Sequence, residues 1–134
     1  MSKPKIAISV GDLNGVGIEI ALKSHQEISK LCDPIYCINP TMLNKAAKLL
    51  KVELPNDLNI NAVDGDFEIN AGVVSADSGR YSYDSFMRGV ALCENQEAEA
   101  VVTLPIHKEA WMMAGLEFKG HTDLLRKHFD KDAI

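Results

Sequence analysis

Ala98-Glu99-Ala100-Val101-Val102-Thr103-Leu104-Pro105-Ile106-His107-Lys108 is the stretch on which the fold turns. The mostly apolar run Ala98 to Leu104 reads as a buried strand, and Pro105 stops it, because proline has no N–H to give a ladder. His107 and Lys108 then stand just past a strand's carboxyl end, which is where open α/β sheets bind ligands. A second polar loop, Gly120-His121-Thr122-Asp123, precedes a short helical pattern of Leu124, Leu125, His128 and Phe129, with Thr122 placed to cap it. A helix start offers unpaired N–H groups and the positive end of a dipole to an anion.

Working outward, short apolar runs alternate with amphipathic segments, the signature of α/β architecture. Strands are expected over Ile6 to Val10, Pro34 to Ile38 and Leu58 to Val63. Helices are expected over Val16 to Lys30, Thr41 to Lys51 with Thr41 near its N-cap, and Tyr81 to Glu97. Between Asp64 and Arg80, Gly65, Gly72 and Gly79 divide short polar pieces, which reads as a long loop holding a brief strand. No repeat, low-complexity tract or linker interrupts the 134 residues, so no internal domain boundary is expected.

Composition narrows the function classes. Apolar residues make up 46% and charged residues 25%, a globular balance, and no apolar run nears the roughly 20 residues needed to span a bilayer. The first ten residues run from lysines into a short strand and a Gly-rich turn, without a signal-peptide layout, so a cytoplasmic location is expected. The net charge of −5 disfavours a nucleic-acid backbone as ligand and directs any phosphate recognition to a small molecule. Cys32, Cys37 and Cys93 are odd in number and lack CxxC spacing, so they read as ordinary reduced thiols.

Individual residues allow more than one reading. Gly11, Gly15 and Gly17 are spaced G-x-x-x-G-x-G, which fails the dinucleotide fingerprint G-x-G-x-x-G and equally suits a sharp strand-to-helix turn. His25, among Lys23, Ser24 and Gln26, reads as a solvated helical residue, and His128 as a dipole-complementing residue near a helix end. A shared metal between His121 and His128 is disfavoured. Seven residues of helix separate them by roughly 10 Å, whereas two ligands of one zinc lie within about 4 Å of each other. His121 is either a polar turn residue or a ligand contact, and Lys108 either a point charge for phosphate or carboxylate or a surface lysine. Asp77 or Ser78 caps the following helix, with Arg80 at the surface, and Trp111-Met112-Met113 reads as core or subunit interface.

Four segments, taken in order, resemble the 4-hydroxythreonine-4-phosphate dehydrogenases of vitamin B6 biosynthesis, the PdxA family. They are Ile8-Ser9-Val10-Gly11-Asp12-Leu13-Asn14-Gly15-Val16-Gly17-Ile18-Glu19, Asp77-Ser78-Gly79-Arg80-Tyr81, Pro105-Ile106-His107-Lys108 and Gly120-His121-Thr122-Asp123. The resemblance covers essentially the whole chain, and the Gly-His-Thr segment at this distance from Pro-x-His-Lys is its specific part. Leu13-Asn14 replaces the family's common Pro-Ala, Ile18 its usual proline, and Leu104 its more frequent small residue.

The resemblance implies a three-layer α/β fold of the isocitrate/isopropylmalate dehydrogenase type, incomplete at the C-terminus, with residues 1–134 forming its N-terminal part. It implies NAD(P)-dependent oxidation of 4-phosphooxy-L-threonine at C3, followed by decarboxylation. His121 and Thr122 would contact this small phosphorylated amino-acid substrate, and Lys108, read from its charge alone, is a further candidate contact. A divalent metal (Zn, Mg or Co) would be held mainly by histidines beyond Ile134, the protein would be a homodimer, and these 134 residues alone would be inactive. A related phosphothreonate or phosphoerythronate dehydrogenase, an isopropylmalate-type dehydrogenase and a non-catalytic anion-binding module are the alternatives.

Overall fold

The computed structural model describes residues 3–130. Strands β1 (Lys5–Ser9), β2 (Asp33–Cys37), β3 (Asn59–Asn61) and β4 (Ala100–Thr103) form one parallel sheet in the order β3-β2-β1-β4. Helices α1 (Gly17–Ile28), α2 (Pro40–Leu50) and α3 (Ala76–Glu94) connect them, and α4 (Lys108–Met113) and α5 (His121–Phe129) follow β4.

The chain steps outward from β1 to β3 and then returns to the far side of β1. With right-handed crossovers, that reversal places α1 and α2 on one face and α3 on the other, giving three layers. Side-chain contacts agree. His25 of α1 reaches Tyr36, which stands beside Ile8 on one face, while Gly89 of α3 lies against Val101 and Ala7 on the other. The reversal also opens a crevice beyond the carboxyl ends of β1 and β4, the topological switch point.

Two apolar clusters hold the layers. The larger unites β1 and β2 with Ile18, Leu22, Met42 and Leu43. The smaller gathers Phe86 and Val90 of α3, Trp111 of α4 and Leu124 of α5, so the elements bearing the two polar loops share one small core.

Several expectations are corrected. The strand after Ala98 is not buried: among the described residues β4 pairs only with β1, lies at the sheet edge and leaves Val102 51% exposed. Helix α3 starts at Ala76, not Tyr81, capped by Ser75, whose hydroxyl accepts from the Ser78 N–H, rather than by Asp77 or Ser78. No strand forms over residues 64–75. Asn39, not Thr41, caps α2, accepting from the Met42 N–H at 2.8 Å. Gly120, not Thr122, is the N-cap of α5. His25 is buried rather than solvated, its Nδ1 2.8 Å from the Tyr36 hydroxyl and its Nε2 3.0 Å from Asp57. The three cysteines are free, and burial pushes the Cys37 thiol up to about 12.

Candidate functional site

The first Gly-rich loop opens directly onto the switch-point crevice, yet its polar groups are occupied within the chain. Asp12 takes the Asn14 N–H on one carboxylate oxygen and the Ser78 hydroxyl on the other. The Asn14 amide donates to the Val73 carbonyl at 2.9 Å and accepts from the Asn70 N–H at 2.9 Å. Gly11, at φ 66°, is required because a Cβ there would overlap the Pro105 carbonyl oxygen. The loop therefore ties residues 70–75 and Pro105 together. Beside it, a cleft of about 270 Å³ is lined by Val16, Val73, Ile106 and His107 among others.

The second loop builds a different place. Lys108, Lys119, His121, Thr122, Asp123 and Arg126 surround a cavity of about 460 Å³ at the start of α5. The His121 ring lies against Phe86 (centroids 4.6 Å apart) and meets Trp111 edge-on, while its Nε2 is 2.7 Å from Thr103 Oγ1. Burial among these rings lowers the imidazole pKa below its ordinary value, so the neutral form prevails near pH 7.

Thr122 is exposed in the first turn of α5, where the leading amides have no acceptor within the helix. Asp123 accepts the Lys119 N–H at 3.0 Å, and that amide, followed by the nearby cations, holds its carboxyl below the usual range. Its negative charge is outnumbered by Lys108, Lys119 and Arg126 around the cavity. The Lys108 side chain reaches along Gly120, its Cε 3.4 Å from where a Cβ would stand. Cations joined to a helix N-terminus favour a small anion.

Of the residues singled out by sequence, His121, Thr122 and Lys108 come together in this cavity. His107 does not join them; it lines the cleft beside the first loop. Arg80 stays at the surface, paired with Asp84 at 3.1 Å. Trp111 is fully buried in the small core, whereas Met112 and Met113 are exposed. His128 contacts Glu94 at 2.9 Å, a link from α5 to α3 well away from His121. Thr103, Lys119 and the Phe86 wall escaped sequence reasoning. A polar residue closing an apolar strand just before Leu-Pro was the available signal for Thr103. Among the described residues no group of three or more His, Cys, Asp or Glu side chains is placed to hold a metal ion, so a metal has no fitted site on them.

Fold and site together define an open parallel α/β protein with a basic, helix-capped cavity suited to a small anionic ligand. Residues 30–134 match the family model described as "Pyridoxal phosphate biosynthetic protein PdxA", and the chain belongs to the PdxA family. It is 64% identical over all of its length to a 4-hydroxythreonine-4-phosphate dehydrogenase of Sulfurimonas denitrificans and 54% identical to that of Campylobacter fetus. In each case it spans 44% of the relative's length. Among solved structures it resembles a 4-hydroxythreonine-4-phosphate dehydrogenase from Burkholderia phymatum, with TM-score 0.86 and 26% identity over 99% of this chain and 46% of that one. A terephthalate 1,2-cis-dihydrodiol dehydrogenase from Burkholderia xenovorans shares the fold at TM-score 0.76 and 17% identity.

Proposed function

We propose that residues 1–134 form the N-terminal, substrate-positioning part of an NAD(P)-dependent dehydrogenase. It oxidises 4-phosphooxy-L-threonine, with subsequent decarboxylation to 3-amino-2-oxopropyl phosphate, in pyridoxine biosynthesis. The observation that carries this reading is the convergence of Lys108, His121 and Thr122 on one basic cavity in a chain of the PdxA family. Lys108 and the first turn of α5 neutralise an anionic group of the substrate, and Thr122 adds a hydroxyl to the same turn. The neutral His121 imidazole fixes the substrate's orientation from the Phe86 and Trp111 wall.

A nicotinamide, NAD or NADP, would supply the hydride acceptor when bound, and no side chain of this chain is assigned to hold it. A divalent cation (Zn, Mg or Co) belongs to this reading only through residues outside this chain, since the described residues make no site for it. The enzyme acts as a cytoplasmic homodimer, with exposed Met112 and Met113 beside the site as its apolar contact.

The test is nicotinamide reduction by the whole polypeptide with 4-phosphooxy-L-threonine and a divalent metal. Lys108→Ala and His121→Ala each lower kcat/KM by at least about tenfold, the worth of one ordinary hydrogen bond or more. Full turnover in both variants refutes the site. Preference for 4-phosphothreonate or 4-phosphoerythronate reassigns the substrate within the same class, and dehydrogenase activity from the 134 residues alone refutes the predicted inactivity of this part.

A further inference from the structure

The hydrogen atoms around Thr103 can be counted. Its Oγ1 lies 3.0 Å from the Leu104 carbonyl oxygen, which has no proton to give, so in that hydrogen bond the threonine hydroxyl is the donor. A hydroxyl carries one proton. The same Oγ1 is 2.7 Å from His121 Nε2, and with its proton committed it meets that nitrogen only as an acceptor. That pairing calls for the hydrogen on Nε2, which leaves the lone pair of the neutral imidazole on Nδ1.

The placement of Thr103 leaves little freedom to escape this arrangement. Thr103 pairs with Ser9 across β1 and β4, and the Leu104 N–H donates to the Ser9 carbonyl at 2.9 Å, fixing the strand end. The imidazole is held by the Phe86 and Trp111 rings, and Trp111 is itself anchored by its Nε1–H donating to Ser82 Oγ at 2.8 Å. Among the described residues, Ser9 Oγ is the buried side-chain polar atom that lacks a partner. His121 Nδ1 makes no hydrogen bond among the described residues and is not one of their buried unpartnered atoms, which leaves it accessible.

We infer that Thr103 is a positioning residue that holds His121 as its Nε2–H tautomer, so that the imidazole meets the substrate through Nδ1 as a hydrogen-bond acceptor. The inference deepens the proposed function and rests on its placing of substrate at His121. Its consequence is a division of labour in the cavity. A phosphate or carboxylate has only acceptor oxygens when ionised, so it falls to Lys108 and the α5 amides, while His121 selects a hydroxyl or ammonium hydrogen of the same molecule.

Long-range 1H–15N correlation of the histidine rings at mildly alkaline pH, in the whole polypeptide, reads the tautomer directly. The wild type is expected to show a protonated Nε2 and a bare Nδ1 at His121; the opposite tautomer overturns the inference without any substitution. Thr103→Val is expected to lose the preference and to lower kcat/KM about tenfold, and Thr103→Ser to restore both. A Val variant that keeps the Nε2–H form overturns the role of Thr103.

Adding 4-phosphooxy-L-threonine is expected to move the Nδ1 resonance, and its analogue without the amino group tells ammonium from hydroxyl as the donor. Conversion of His121 to imidazolium by inorganic phosphate alone overturns the acceptor role. If neither organic ligand binds at all, the proposed substrate fails, and the tautomer measurement alone decides for or against Thr103.

Discussion

Gly79→Ala separates helix propensity from packing in a single methyl group. Gly79 lies inside α3, where replacing glycine by alanine ordinarily gains about 1 kcal/mol. Here the added Cβ would overlap the carbonyl of Ala110 and stand 2.9 Å from the Trp111 backbone nitrogen. Both are main-chain atoms of α4, so no rotamer change relieves the clash, and α4 must move. Overpacking of this kind costs about 1–3 kcal/mol. Displacing α4 also disturbs the fully buried Trp111 and its bond to Ser82, worth about 1 kcal/mol more. The expected net is a loss of about 1–3 kcal/mol, the propensity gain offsetting only part of it. Urea denaturation should show a lower midpoint at unchanged slope. Because α4 carries Lys108 and the wall behind His121, ligand affinity should fall as well. A variant as stable as the wild type would refute the close α3–α4 contact.

Three further outcomes are expected. Asn14→Ala removes the links to Val73 and Asn70 and leaves partly buried backbone groups unpaired, costing about 2–3 kcal/mol; limited proteolysis should then cut first within residues 64–75. His25→Leu leaves the buried Tyr36 hydroxyl without its partner, so a double-mutant cycle with Tyr36→Phe should report a coupling of about 0.5–3 kcal/mol, and a coupling of zero would contradict the contact. Burial lowers the folded-state pKa of His121 below the unfolded value of about 6.5. The folded protein thus binds fewer protons, and its contribution to stability is full above about pH 6.5 and lost as pH falls toward the depressed value. His121→Asn should flatten that part of the stability–pH curve, with urea midpoints as the measurement.

The alternation of elements was legible because apolar periodicity reports which face of an element is covered. It could not report position in the sheet. Ala100 to Thr103 has the composition of a central strand, but its place at the edge follows from the chain's return past β1, a long-range fact. The start of α3 was missed because Gly79 looks like punctuation, whereas it is there to let α4 approach. His25 was misread for a related reason: its sequence neighbours are polar, and its partners, Tyr36 and Asp57, come from β2 and the segment before β3. The His121 cavity was legible through its motif, since Gly-His-Thr-Asp before an amphipathic run marks a helix start. Thr103 was not, because its role depends on a contact across 18 positions of chain.

The two glycine-bearing loops at the carboxyl edge differ in what their donors face, and that difference explains where a ligand can sit. The first loop occupies the place where open sheets usually bind ligands, but Asp12 and Asn14 turn inward and satisfy one another, Ser78 and residues 70–75. A ligand seated on those groups would have to displace bonds already made in partly buried surroundings, at about 1 kcal/mol or more for each. At α5, Thr122 is exposed at a helix start whose leading amides have no helical acceptor. The proposed function accordingly seats the anion one connection further along the chain, at the turn that His121 opens. The small core of Phe86, Trp111 and Leu124 fixes that turn to α3. Under the proposed function, this packing of Leu124 against Phe86 and Trp111 is what would let the turn orient a substrate.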